Sequence, residues 1–234
     1  MEYLSNTYIR VNQEGKPLSF KGYIAFDFDG TLISSHWAVI ECVRLTMQEH
    51  FCRSFTFDEV KAKYTTDIYA MNERFGIKSA QEGKKLLDIW AKYAREIENT
   101  PRVYPGVIEL LDKLSANNYE LFIWTGRDRA STLEIAKYND ILKYFTDLRC
   151  STDCAMKPHP QGLHEMLDEF PKEKVIVVGD SQTDMRGAKD FGGVGVGAAW
   201  GEFANHDSLR ENGAHVILDN VKDCFDCFEK IIGE

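Results

Sequence analysis

The 234-residue chain is poor in cysteine, with six in all, too few for a disulfide scaffold. Cys42 and Cys52 fall in a helical pattern and read as reduced core thiols. Cys150 and Cys154, paired with Cys224 and Cys227, lack the flanking glycine turns of zinc knuckles, and Cys224-Phe-Asp-Cys227 reads as helix, so a four-thiolate zinc site is disfavoured. Positive charge is also short: 28 Lys/Arg against 37 Asp/Glu gives −9. That leaves no overall electrostatic footprint for nucleic acid, although a local anion site is still compatible with it. No apolar run approaches the roughly 20 residues that span a bilayer. Met1 to Asn6 carry neither the basic nor the apolar region of a secretory signal. The expectation is a cytoplasmic protein that engages neither membrane nor nucleic acid. Internal repeats, biased tracts, a Walker loop, a dinucleotide fingerprint and a Ser-His-Asp pattern are missing as well.

What is present is ordinary globular usage, 44% hydrophobic and 28% charged. Short apolar runs end at glycine or at acid. Tyr23 to Phe28 stops at Asp29-Gly30, Leu121 to Thr125 at Gly126, and Val175 to Val178 at Gly179-Asp180. Gly193 to Val196 and His215 to Leu218 are less marked cases. Helical patterns lie between them, such as Val107, Leu110, Leu111 and Leu114. Buried strands alternating with helices predict an α/β fold, a Rossmann-like three-layer core around a parallel sheet.

One stretch interrupts that alternation. From about Ser34 to Glu98 the pattern predicts three amphipathic helices and no strand. Ile40, Val43, Met47 and Phe51 share one face of the first. The second opens with Thr56-Phe57-Asp58-Glu59, a capping box, carries Val60, Tyr64, Ile68, Met71 and Phe75, and stops at Gly76. The third carries Leu86, Trp90, Ala94 and Ile97. These stripes are assigned to packing. The expected organisation is an N-terminal extension (1–20), an α/β core (21–33 and 100–234) and an inserted small all-α cap domain (34–99). Between Ile33 and Val103 there are 11 Lys/Arg against 10 Asp/Glu, while the rest holds 17 against 27. A nearly neutral lid on an acidic body suits an anionic substrate.

In open parallel sheets ligands bind at the carboxyl ends of strands. Three such ends here carry polar groups: Asp27-Phe28-Asp29-Gly30-Thr31, Thr125-Gly126-Arg127, and Gly179-Asp180-Ser181 on to Asp184. Clustered carboxylates repel one another unless a cation neutralises them. Asp27, Asp180 and Asp184 together therefore imply a hard divalent ion, Mg²⁺. A phosphate ester needs a nucleophile, neutralisation of its oxygens and an acid for the leaving group. Asp27 and Asp29 can divide the first and last of these. Gly30 permits the tight turn. Lys157, in Lys157-Pro158-His159-Pro160, can reach a transferring phosphate as a point charge.

These motifs resemble the four signatures of the haloacid dehalogenase superfamily of Mg²⁺-dependent phosphatases. The chain is similar to the phosphoglycolate phosphatase-like branch, with a helical cap after the first strand; Tyr104-Pro105-Gly106-Val107 and the run from Gly179 to Gly192 also fit it. The resemblance implies that Asp27 is the nucleophile forming an aspartyl-phosphate and a Mg²⁺ ligand. It makes Asp29 the general acid, then base, with its backbone carbonyl on the metal. Thr125 and Gly126 hold phosphate, Lys157 neutralises nucleophile and phosphate, Asp180 ligates Mg²⁺, and Asp184 orients the metal shell or Lys157. Asp29 also separates a phosphatase from the hydrolytic dehalogenases. The expected substrate is a small phosphorylated metabolite. A phosphomutase of the same superfamily, similar to β-phosphoglucomutase, and a non-catalytic phospholigand-binding protein are the alternatives. Arg127 follows the phosphate threonine and is a candidate substrate contact, whereas Arg129 reads as helix surface. His36 and Trp37 open the first cap helix, His159 belongs to its loop because Mg²⁺ prefers oxygen, and Ser34 and Ser35 read as hinge and helix cap.

Overall fold

The structure is a computed structural model that describes residues 20–64, 68–97 and 101–233. The side chains of residues 68–70, 80, 96 and 97 are outside this description, and so are the expected positions of Ile68 and Ile97 in their stripes. The expected N-terminal extension lies outside it too, save for Phe20.

Strand β1 (Gly22–Phe26) leads through a tight loop to β2 (Ile33–Ser34). Four helices follow: α1 (His36–Phe51), α2 (Phe57–Lys61), α3 (Ile68–Arg74) and α4 (Ala80–Ile97). The chain then returns through β3 (Arg102–Val103), α5 (Val107–Ala116), β4 (Tyr119–Trp124), α6 (Arg129–Tyr138) and β5 (Phe145–Arg149). Next come α7 (Gln161–Leu167), β6 (Val175–Gly179), α8 (Gln182–Phe191) and β7 (Val194–Ala198). Helix α9 (His206–Glu211), β8 (Val216–Leu218) and α10 (Cys224–Gly233) complete it.

Six strands form one parallel sheet in the order β5-β4-β1-β6-β7-β8. The direction of winding reverses at β1, because β4 and β5 build outward on one side and β6 to β8 on the other. The carboxyl ends of β1, β4 and β6 thus converge where chains leave the sheet in opposite directions, the position at which such sheets open a crevice.

Alternation along each central strand explains the three layers. Ile24 and Phe26, Leu121 and Ile123, and Ile176 and Val178 face one helix layer with Leu110, Leu111 and Leu114 of α5, Ile135 of α6 and Phe228 of α10. Ala25, Phe122, Trp124, Val175 and Val177 face the other, with Leu163 and Leu167 of α7 and Ala188 and Phe191 of α8. Fully burying each large apolar side chain contributes about 1.5–3 kcal/mol. No helix among the described residues is long and apolar enough to cross a membrane.

Helices α1 to α4 have a hydrophobic cluster of their own: Ile40, Val43, Met47, Phe55, Val60, Met71, Phe75, Ile77 and Leu86. An apolar cavity of about 140 Å³ lies inside this layer, lined by Val43, Met47, Leu86 and Trp90 among others. It is not at the strand ends. The chain leaves and re-enters the sheet body through β2 and β3, which pair antiparallel, Ile33 with Val103 and Ser34 with Arg102.

Several expectations need correction. The second helix is not continuous, since α2 and α3 are separate elements. Phe51 is exposed rather than in the cap core, and Cys52 is exposed at a left-handed helix end with φ of 51°. The strand β5 is not among the expected strands, because Phe-Thr-Asp-Leu-Arg is an edge strand, half solvated and therefore mixed in polarity. Ser35 occupies the N-cap position of α1 but makes no capping hydrogen bond with its side chain. Its hydroxyl goes elsewhere, as described next.

Candidate active site

Strand β1 delivers Asp27 and Asp29 into the crevice. The Asp27 amide still donates to the Val178 carbonyl at 2.8 Å, so the nucleophile candidate is held by the sheet itself. The amides of Leu32 and Ile33 both donate to the Phe28 carbonyl, at 3.0 and 2.8 Å, which folds the loop back into β2. Gly30 has φ of +78°, and a Cβ placed there would stand 2.2 Å from Asp180 Oδ2 and 2.5 Å from His36 Cε1. Only glycine lets β1's loop lie against the end of β6 in this way.

The two acids of this loop face different partners. Asp27 Oδ1 accepts from Lys157 Nζ at 2.6 Å, and Asp184 Oδ1 accepts from the same ammonium at 2.5 Å. Lys157 is well buried and lies 4.6 Å from the centroid of the Trp124 ring. Asp29 instead takes the Arg127 guanidinium in a fork, Nε to Oδ2 and Nη2 to Oδ1, both at 2.9 Å. The Ser35 hydroxyl donates to Asp29 Oδ1 at 2.5 Å.

Strand β6 supplies the third group. Asp180 follows Gly179 directly, and Ser181 caps α8 in a reciprocal capping box with Asp184. Ser181 donates to Asp184 Oδ2 through its amide at 3.0 Å and its hydroxyl at 2.6 Å. Both Asp184 oxygens therefore have hydrogen-bond donors. Asp180 is different: among the described residues no side chain donates to its carboxylate, although it is buried.

One oxygen each from Asp27, Asp180 and Asp184 lies within 4.8 Å of the others. Burial dominates the electrostatics of Asp27 and Asp180. It pushes Asp27 up to about 7, with Lys157 opposing and Asp184 and Asp29 reinforcing the rise. Burial also raises Asp180 well above the usual carboxylate range, and the charges of Asp27 and Asp184 add to it. Lys157, which burial alone would lower, is held above its ordinary value by Asp184 and Asp27. Asp29 goes the other way: burial would raise it, but the Arg127 charge and hydrogen bonds, the Ser35 hydroxyl and nearby His36 hold it below the ordinary range. With three carboxylates and one ammonium among them, the cluster is short of two positive charges when fully ionised, and its donors are all hard oxygens, which fits a divalent cation such as Mg²⁺.

Thr125 is buried at the end of β4, with its amide bonded to the Arg149 carbonyl at 2.9 Å and its hydroxyl accepting from the Arg127 amide at 3.1 Å. Gly126 is open, with nothing within 4 Å of where a Cβ would stand. Arg129 pairs with Asp153 at 2.7 Å on the surface, as its position predicts. His159 Nδ1 accepts from the Gln161 amide at 3.2 Å and so serves its own loop. Asp29 is close by, but its carboxylate is not among the oxygens of the trio.

Some residues at the site were not singled out from sequence. Glu202, after β7, accepts from the Ser34 hydroxyl of β2 at 2.8 Å and from the Tyr104 hydroxyl just after β3, and faces His36 Nδ1 at 3.8 Å. One carboxylate thereby ties both crossings of the chain to the sheet body. Burial opposes its charge, yet nearby His36 and the hydrogen bonds from Tyr104 and Ser34 pull it down to about 2. Phe203, its neighbour, inserts into the helical layer between His36 (4.8 Å) and Tyr64 (5.1 Å between ring centroids). Trp200 Nε1 donates to the Thr31 carbonyl at 2.9 Å and anchors this loop on β1's loop. The available signal was position: Trp200 to Phe203 leave a sheet strand at the same edge as the acids.

Comparison with known proteins agrees with this geometry. The pyrophosphatase PpaX of Bacillus mycoides is 24% identical over 90% of this chain and 98% of its own length. A phosphoglycolate phosphatase of Vibrio parahaemolyticus is 26% identical, covering 86% of this chain and 92% of its own. Among solved structures, a haloacid dehalogenase-like family hydrolase of Streptococcus pneumoniae superposes with a TM-score of 0.74 at 24% identity, over 88% of this chain and 98% of that one. The family model for haloacid dehalogenase-like hydrolases matches residues 24–197. With that match spanning most of the chain, and with the acids and lysine gathered at the reversal point of the sheet, the protein belongs to the haloacid dehalogenase-like hydrolase family.

Proposed function

We propose that the protein is a phosphatase that hydrolyses a small phosphorylated metabolite through Asp27. The observation that carries this reading is the shared ammonium: Lys157 Nζ bridges Asp27 and Asp184 at 2.6 and 2.5 Å beside the Asp180 carboxylate, to which no described side chain donates. Lys157 opposes the protonation that burial favours at Asp27, and the neighbouring site needs further positive charge, which is what an incoming phosphate ester requires around its nucleophile.

In this mechanism an Asp27 oxygen attacks phosphorus, the ester P–O bond breaks, and the leaving oxygen takes a proton from Asp29. Water then attacks the aspartyl-phosphate with Asp29 accepting its proton, and Asp27 is regenerated. Lys157 holds the Asp27 charge and faces the transferred phosphoryl oxygens. The Thr125 hydroxyl and the open Gly126 amide bind those oxygens from the end of β4. Arg127 and Ser35 hold the Asp29 carboxylate in its ionised form, the form needed for the second step; the proton it gives the leaving oxygen in the first step is taken up from solvent as substrate binds, and the proton it accepts from water in the second returns to solvent as the fork re-forms. Asp27, Asp180 and the Asp29 carbonyl would hold Mg²⁺, with Asp184 positioning Lys157 and the metal's surroundings. When bound, Mg²⁺ supplies the positive charge that the buried trio lacks and that the phosphoryl oxygens need. The helical layer acts as a cap over the crevice, limiting substrate size and excluding water.

The test is phosphate release from p-nitrophenyl phosphate and a panel of phosphorylated metabolites, with and without Mg²⁺. Wild type should release free phosphate only with the metal, and Asp27→Asn should lose turnover by at least about 10³-fold. Turnover retained by Asp27→Asn would overturn the nucleophile assignment. Phosphate appearing only on a sugar acceptor would overturn hydrolysis in favour of a mutase.

A further inference from the structure

The strand-end residues treat the phosphate; the structure also indicates what touches the rest of the substrate. Tyr64 follows α2 in the helical layer. Its amide donates to the Val60 carbonyl at 2.9 Å, and its own carbonyl accepts from Arg74 Nη1 at 3.2 Å, so its backbone is fixed from both sides. Its ring rests on Phe203, tilted by 35°. Phe203 in turn lies two residues beyond Gly201, where a Cβ would stand 2.5 Å from the Gly30 carbonyl and 3.4 Å from Asp180. Tyr64 is therefore seated by a loop that abuts the catalytic acids.

Three further features bear on its role. Among the described residues no group hydrogen-bonds the Tyr64 hydroxyl, although the ring is mostly shielded and packs against the cap cluster. Burial, followed by the charges of Asp29 and Asp180, pushes the phenol up to about 12, with Arg127 opposing. The groups that act on it are thus those of the active site, and at neutral pH it is a hydrogen-bond donor. The ammonium of Lys61, one turn earlier, lies 5.7 Å from the centroid of the same Phe203 ring. A largely shielded phenol without a hydrogen-bond partner among the described residues, a cation on the Phe203 ring that seats it, and a cap without the acidity of the body favour an acceptor oxygen that carries negative charge.

We propose that Tyr64 is the specificity-determining residue of the cap, donating its hydroxyl to an anionic oxygen on the leaving group of the phosphate ester. The inference rests on the phosphatase reading and deepens it: the preferred leaving group ends in a carboxylate or a second phosphoryl group. The sequence pattern alone places Tyr64 in an apolar stripe, where it passes for packing.

The experiment measures kcat/KM with Mg²⁺ for phosphoglycolate, pyrophosphate and 2-hydroxyethyl phosphate, for wild type, Tyr64→Phe and Phe203→Leu. Wild type should prefer an anion-ended substrate, either the carboxylate or the phosphoryl one, over the hydroxyl-ended ester. In Tyr64→Phe that preference ratio should fall about tenfold, the scale of a lost hydrogen bond to a charged group. Phe203→Leu, which keeps the phenol but removes its seat, should lower the ratio by less. A ratio within twofold of wild type in Tyr64→Phe, or a wild type that favours the hydroxyl-ended ester, would overturn the proposal while leaving the phosphatase reading intact. A wild type that hydrolyses none of these or p-nitrophenyl phosphate would overturn the phosphatase reading first and this inference with it. Thermal melting of both variants checks that a changed ratio comes from folded protein.

Discussion

Arg127 lays its guanidinium fork on the Asp29 carboxylate, two N–H···O contacts at 2.9 Å, so the end of β4 grips the loop after β1 through the acid proposed to protonate the leaving group. The pairing is planar and bidentate, which an ammonium cannot reproduce.

Arg127→Lys should therefore keep the charge but lose the fork, and lower kcat on p-nitrophenyl phosphate by about tenfold. Arg127→Ala should lower it by about a hundredfold and destabilise the fold by about 1–3 kcal/mol, since a mostly buried carboxylate loses its cation. Steady-state kinetics and urea midpoints check both. Equal kcat in Lys and Ala variants would show that fork geometry does not matter.

Lys157 separates two buried carboxylates. In metal-free protein at neutral pH, Lys157→Met should destabilise by about 3–5 kcal/mol, and activity should fall by at least about 10³-fold. Adding Asp184→Asn to Lys157→Met should restore part of the stability without restoring activity, because it removes one of the two opposed charges. Urea denaturation of the four proteins of this double-mutant cycle gives the coupling.

Asp180 offers the clearest readout of metal. Mg²⁺ at about 100 times its dissociation constant should stabilise the native state by about 2.7 kcal/mol, a rise in Tm of about 5–11 °C for a chain of this length. Asp180→Asn should abolish that rise. Scanning calorimetry after chelator treatment, with and without added Mg²⁺, measures it, and an unchanged wild-type Tm would remove the cation from the site.

Glu202 governs the acid limb. Its folded value of about 2 lies below the ordinary 4.5, so its contribution is fully present above 4.5 and fades as pH falls towards 2. Because the carboxylate is partly solvated, that contribution is discounted to about 1–2 kcal/mol. Wild type should exceed Glu202→Gln by this amount from pH 5 to 8, and the gap should close near pH 2. Urea midpoints at pH 7, 4 and 3 trace the difference.

The core strands and the acids at their ends were readable because a buried strand must be apolar throughout and any acid at its end is conspicuous. Tyr23 to Phe28 and Val175 to Asp180 are such cases. The edge strand Phe145–Arg149 was hidden because one side meets solvent and its pattern is mixed. Ser35 carries the residue type and position of a helix cap, and only three-dimensional proximity reveals that its hydroxyl serves Asp29. Tyr64 and Glu202 are joined to the site through partners distant in sequence, Phe203 for one and Ser34 with Tyr104 for the other. No periodicity encodes such pairings. The split between α2 and α3 shows the converse: an apolar stripe can persist across a break in the helix.

The antiparallel pairing of Ser34 with Arg102 has a consequence for engineering. Paired residues on neighbouring strands lie only about 5 Å apart, so the entire helical excursion begins and ends at one point on the sheet body. A two-residue Asn-Gly turn could join Ser34 to Arg102 and short-circuit it, leaving the strand order, the acids and Lys157 in one uninterrupted chain. The same seam would accept a different excursion in its place. The seam is already closed by hydrogen bonds, and what such a chain would lose at the site are Ser35 and His36, the two groups of the excursion that act on Asp29.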